Sequence, residues 1–148
     1  MDVGGNEYPI MKTVLITGAN RGLGLEFAKQ YQADGWKVIA CCRNPDDAPE
    51  LLESGISVSQ LDLLDFEAID RFADTLEGKP IDLLINNAGI HDRSKAEGFS
   101  GIERERWIDG FKVNAMAPVL LTQTLVHNLS ASENPVAATI GSQAGCLT

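Results

Sequence analysis

At 148 residues the chain is long enough for one domain with a sizeable core, and 44% hydrophobic with 22% charged residues are globular proportions, neither disordered nor fibrous. A formal net charge of -9 excludes the basic face that nucleic acid or an anionic membrane would need, so neither is an expected partner. No apolar run reaches bilayer length, and residues 1–10 lack the basic and apolar regions of a secretion signal, so a cytoplasmic location is expected.

Residues 1–11 read as a flexible extension, and Met11, at the start of a strand pattern, is a candidate natural start. Lys12 to Thr17 (KTVLIT) is short and nearly all apolar, the pattern of a strand buried on both faces. Leu23 to Asp34 follows with helical spacing at Leu23, Phe27, Ala28 and Tyr31, and Gly35 ends it. Lys37 to Cys42 (KVIACC) is the second strand, and its adjacent cysteines should point to opposite faces as small buried hydrophobes. With Cys146 they form neither a disulfide framework nor a zinc set.

RNPDDAPE reads as a turn, and Ile56 to Leu61 as the third strand. Asp65 can cap a helix whose apolar positions are Phe66, Ile69, Phe72, Ala73 and Leu76, stopped by Gly78 and Pro80. Ile81 to Ile85 makes the fourth strand and Asn86 to Gly89 a sharp turn. A long helical region then runs from about Ile102 to Leu129, interrupted at Pro118, before a fifth strand at Pro135 to Ile140. Such alternation implies right-handed crossovers and a parallel sheet covered on both faces, a doubly wound α/β unit. Its ligands bind beyond the carboxyl ends of the strands, where every motif below falls.

Thr17 to Gly24 (TGANRGLG) leaves the first strand and opens the first helix. Gly18 lets the chain turn, Gly22 and Gly24 let backbone approach a pyrophosphate and the helix pack on the sheet, and the helix N-terminus offers free N–H groups to phosphate. Asn20, Arg21 and Leu23 complete this candidate loop. The spacing is neither G-x-G-x-x-G nor that of a phosphate-loop NTPase, since no lysine follows Gly24. After the second strand, where a site selective for NAD places an acid, stand Cys42 and Arg43. Arg43 and Arg21 suit a ribose 2′-phosphate, so NADP(H) is the expected cofactor.

T-G-x-x-x-G-x-G resembles the short-chain dehydrogenase/reductase family, and Asp62-Leu63, Asn86-Asn87-Ala88-Gly89, Asn114 and Ser142 agree with it in order. The likeness covers Lys12 to Thr148, and RGLGLEFAKQ, VIACCRNP and IDLLINNAGI are most similar to its C-factor and sniffer branch. The resemblance implies a Rossmann-type sheet of order 3-2-1-4-5-6-7, truncated here after about five strands. It implies that Asp62 accepts from the adenine amino group, with Leu63 beside it, and that Asn87, Ala88 and Gly89 steady the central strands and line the adenosine ribose. It further implies that Asn114 holds a kink and a relay water, and that Ser142 bonds the substrate carbonyl. Gly141, where the family has serine, is a mild departure.

The implied reaction is hydride transfer between NADP(H) and a small carbonyl or alcohol. The family's tyrosine and lysine would follow Ser142 by about a dozen residues and one further helical turn, past Thr148, so the chain as written is expected to be catalytically incomplete. A fragment, a premature stop and a binding-only remnant all fit this ending. Tyr8 to Lys12 satisfies Y-x-x-x-K, but Pro9 and an extended setting exclude a helical face. His91, Asp92 and Arg93 read as a solvated loop. No metal is expected, and the strand PVAATI, if left as an edge, favours self-association. The alternative function is a non-catalytic nucleotide-binding or interaction module.

Overall fold

A computed structural model describes residues 11–91 and 103–142. Residues 1–10, Asp92, Arg93 and Cys146, and with them the Tyr8 motif, lie outside the described residues. The elements are β1 (Thr13–Thr17), α1 (Gly22–Ala33), β2 (Lys37–Cys42), a 3₁₀ turn (Pro45–Asp47), α2 (Pro49–Glu53), β3 (Ser57–Gln60), α3 (Phe66–Asp74) and β4 (Leu83–Asn86). They continue with α4 (Arg104–Phe111), a π segment (Lys112–Met116), α5 (Ala117–Thr124), α6 (Val126–Ser130) and β5 (Val136–Thr139).

All five residues of β1 are buried, as its continuous apolar run requires, and β1 occupies the centre of a parallel sheet ordered β3-β2-β1-β4-β5. The two-residue period of the strands builds two cores. Leu15, Cys41 and Leu84 face Ile69 and Phe72 of α3 and Leu121 of α5, whereas Ile16, Cys42 and Ile85 face Ala28 of α1 and Leu51 of α2. Cys41 and Cys42 thus lie on opposite sides of the sheet.

Asp65 caps α3 by accepting from the Ala68 N–H at 3.1 Å. At the opposite end of the sheet, Asp82 accepts from the Thr13 N–H at 2.7 Å and the Ser132 hydroxyl at 2.6 Å. Among the described residues no helix is long and apolar enough to cross a membrane.

Three readings need correction. RNPDDAPE is not only a turn: Pro49 starts α2, and the fully buried Leu51 pays for this short helix by filling the core beneath β2. The long helix is not interrupted at Pro118, which stands in the first turn of α5; the break is the π segment just before it. Proline has no N–H for the carbonyl four residues back, at Asn114, and its ring would collide with that carbonyl, so a regular α-turn cannot run into it. Finally, β4 begins at Leu83 rather than Ile81; Ile81 is buried, but its N–H donates to Asn128 at 3.0 Å instead of to a strand.

Candidate functional site

The carboxyl ends of β1, β2, β3 and β4 open into a cleft of about 480 Å³. Gly18, Arg21 and Gly22 form one wall, Arg43, Asp62 and Leu63 a second, and Asn87, Ala88 and Gly89 a third. The sequence motifs are therefore brought together from four strand ends.

The three glycines of the first turn serve different ends. Gly18 has φ +64°, and a Cβ there would stand 2.8 Å from the Ala88 Cα. Gly24 is buried, and its Cβ would collide with the Gly18 carbonyl and lie 2.5 Å from Asn87 Nδ2. Gly22 has φ +56°, with nothing within 4 Å of its Cβ position. Gly18 and Gly24 thus permit close packing, whereas Gly22 keeps the cleft mouth bare where α1 begins. No side chain caps α1, and its first turn carries no acid, so its N–H groups and positive dipole end are left for a ligand.

Thr17 and Asn87 tie the first and third walls. Asn87 Nδ2 donates to the carbonyls of Thr17 at 3.0 Å and Gly18 at 3.1 Å. Thr17 Oγ1 accepts from the N–H groups of Asn87 and Ala88 at 3.1 and 3.0 Å. Asn86, by contrast, points into the core and donates to Thr122 Oγ1 at 3.3 Å. Asp62 Oδ1 accepts from the Leu64 N–H at 3.0 Å, which orients its carboxylate at the cleft. Asp62 is the only carboxylate among the described residues lining the cleft.

Arg21 and Arg43 are both exposed, and among the described residues neither guanidinium has an acidic partner. The Arg43 carbonyl accepts from Gln60 Nε2 at 3.1 Å, which fixes the backbone from which that side chain springs. Cys41 also lines the cleft, although almost wholly buried; burial first, then neighbouring Cys42, drives its thiol pKa far up.

Other expected residues lie behind or beyond the walls. Asn20 is half-buried and Leu23 is exposed, and neither lines the cleft. Asn114 sits in the π segment, its Oδ1 accepting from the Ile90 N–H at 2.9 Å and its Nδ2 donating to the Ile90 carbonyl at 2.8 Å. It thus holds the loop that forms the third wall. Ser142 is exposed beyond the carboxyl end of β5, outside the cleft lining, as is His91. Thr17, Ile90 and Val113 line the cleft without having been singled out in the sequence. Thr17, as the first letter of the glycine motif, carried a signal; Ile90 and Val113, ordinary aliphatics, carried none.

The family model described as short chain dehydrogenase matches residues 12–148. Protein FixR of Bradyrhizobium diazoefficiens is 33% identical over 134 residues, covering 84% of this chain and 48% of that protein. A short-chain dehydrogenase from Streptomyces avermitilis superposes with a TM-score of 0.82 at 26% identity, over 95% of this chain and 52% of that one. An NADPH-bound carbonyl reductase from chicken fatty liver does so with a TM-score of 0.70 at 32% identity, over 80% and 52% respectively. The chain spans about half the length of these relatives.

Proposed function

The chain belongs to the short-chain dehydrogenase family, and from that membership we propose that it binds NADP(H) in the cleft and serves an oxidoreductase that interconverts a small carbonyl and its alcohol. The observation that carries the cofactor reading is the pairing of an α1 N-terminus at Gly22 that no side chain caps with two guanidiniums, Arg21 and Arg43, that have no acidic partner among the described residues, in one cleft. The helix end suits a pyrophosphate. The guanidiniums suit a 2′-phosphate, and Cys42 stands where a carboxylate would repel it. The NADPH bound to the similar carbonyl reductase agrees with this reading.

Asp62 accepts the adenine amino group through the carboxylate oxygen that its own turn leaves free, with Leu63 packed beside the base. Asn87, with its amide committed to Thr17 and Gly18, holds Ala88 and Gly89 as a small-residue wall for the ribose. Asn114 positions that wall through Ile90. Ser142, at the same carboxyl edge of the sheet, orients a substrate carbonyl by donating its hydroxyl hydrogen. A bound nicotinamide supplies or takes up the hydride.

Tyr31 is the only tyrosine among the described residues, and it packs edge-on against Trp36 with ring centroids 5.1 Å apart, outside the cleft. The described residues thus offer no phenolic proton donor to the site, and the 148-residue chain by itself is expected to bind cofactor without turnover.

Calorimetric titration with NADPH and NADH tests the cofactor reading. A charged hydrogen bond to phosphate is worth about 1.5–3 kcal/mol, so NADPH should bind at least about tenfold more tightly, and Arg43→Ala should erase most of the difference. Equal affinities, or an unaltered Arg43→Ala, would refute it. In parallel, NADPH oxidation with a panel of aldehydes and ketones should stay at background. Turnover above background would place a proton donor elsewhere, whereas tight binding without turnover in every longer natural form would favour the non-catalytic nucleotide-binding module.

A further inference from the structure

β2 ends at Cys42, and Arg43 is the first residue past it. There the ladder stops: the Cys41 carbonyl accepts from the Ala19 N–H at 3.0 Å and the Cys42 carbonyl from the Leu61 N–H at 2.9 Å. Among the described residues no backbone–backbone hydrogen bond holds Arg43 itself. A side chain does so instead. Gln60, the last residue of β3, pairs in register with Cys42, and its Nε2 donates to the Arg43 carbonyl at 3.1 Å. This adds one rung where the two strands part. Gln60 is exposed and lies outside the lining of the cleft, whereas Arg43 is part of that lining.

The rung matters because the guanidinium has a competing set of partners. Asp46 and Asp47, both exposed, follow Arg43 within four residues, in the turn Pro45–Asp47. A carboxylate offers a guanidinium the same kind of paired acceptors as a phosphate. With its carbonyl released, the bend at Arg43 would be free to turn the side chain from the cleft toward these acids.

We propose that Gln60 is a positioning residue for cofactor choice: its amide holds the Arg43 backbone so that the guanidinium serves a ribose 2′-phosphate in the cleft rather than the acids of its own turn. This role rests on the cleft being an NADP(H) site and extends that site to a residue outside its lining. NADH carries no 2′-phosphate, so it separates the positioning of Arg43 from a general loosening of the cleft.

Calorimetric titration of the 148-residue chain with NADPH and NADH, in a double-mutant cycle of Gln60→Met and Arg43→Ala, tests this. Methionine keeps the length of glutamine and removes the N–H donor. Losing one hydrogen bond of ordinary net worth corresponds to about fivefold in affinity, so Gln60→Met should weaken NADPH binding about fivefold and NADH binding less than about twofold. Gln60→Thr, a strand former too short to reach the carbonyl, should do the same. In the Arg43→Ala background, Gln60→Met should alter NADPH affinity less than about twofold, because the side chain it positions is gone. Native far-UV dichroism confirms the fold of each variant. Where Arg43→Ala lowers the NADPH preference, three results overturn the role of Gln60 and leave the cofactor reading standing: NADPH affinity indifferent to both Gln60 variants, an equal loss for NADH, or a loss that persists without Arg43. If Arg43→Ala leaves the preference intact, the cofactor reading and the role of Gln60 fall together.

Discussion

Gly22 and Gly24, two residues apart, meet opposite demands, and substitution should separate them. Alanine at Gly24 drives a methyl into the Gly18 carbonyl and Asn87, so Gly24→Ala should cost about 2–3 kcal/mol of stability in urea titration. Alanine at Gly22 meets no atom but must hold φ +56°, at roughly 1–2 kcal/mol, and puts its methyl in the cleft mouth. Gly22→Ala should therefore weaken NADPH binding at least about tenfold while costing less stability than Gly24→Ala. The motif TGANRGLG revealed that glycine was needed at these places. It could not reveal which need was which, because the obstructing atoms at Gly24 include a side chain far along the chain, on Asn87. Chemistry at single residues also predicts silence: Cys41 and Cys42 are buried, and desolvation raises both thiol pKa values. Mass spectrometry after iodoacetamide treatment of native protein should find both unlabelled, and label on either would contradict their burial.

Between elements, the π segment and the loop after β4 act as one piece through the paired hydrogen bonds of Asn114 and Ile90. Asn114→Ala leaves the Ile90 N–H and carbonyl without these partners and frees the third wall, although Asn114 lines no part of the cleft. NADPH affinity should fall about tenfold, with the loss visible in titration without any turnover assay. Unaltered affinity would show that the wall holds itself. Asn114 was legible in the sequence through the family resemblance, and its clamp on Ile90 was not. Proline marked a disturbance in the long helix, but residue type does not say whether the ladder breaks at the proline or widens before it. In the same way PDDAPE displayed its turn formers, while α2 depends on Leu51 reaching a core assembled from β2 and α1.

Across the whole molecule, the apolar runs located the five strands, because a buried parallel strand leaves a strong signal, and the order of those strands followed from the family resemblance alone. Less visible was the pin at the far end of the sheet. Burial alone would raise the Asp82 carboxyl, but hydrogen bonds from Ser132 and Thr13 and the charge of Lys12 hold it below its ordinary value. A depressed carboxyl contributes its stabilisation fully above the unfolded value of about 3.9 and loses it as pH falls through the folded value. Asp82→Ala should thus cost about 1–3 kcal/mol at pH 7, and its stability should fall less steeply than that of the parent below about pH 4. Urea titrations across that range measure both, and parallel pH profiles would discount the pin.

The central position of β1 bears on synthesis as well as on shape. Of the five described strands, the earliest in the chain is an interior one, with β2 following it closely as its neighbour on one side. Its other edge waits for β4, and the Thr17–Asn87 tie that closes the cleft spans 70 residues. At about 5–20 residues per second, roughly 4–14 s of elongation pass with that apolar edge open. During this interval the nascent chain is most exposed to mispairing, and the cofactor cannot yet protect it, because the site it would occupy does not exist until the same strand arrives.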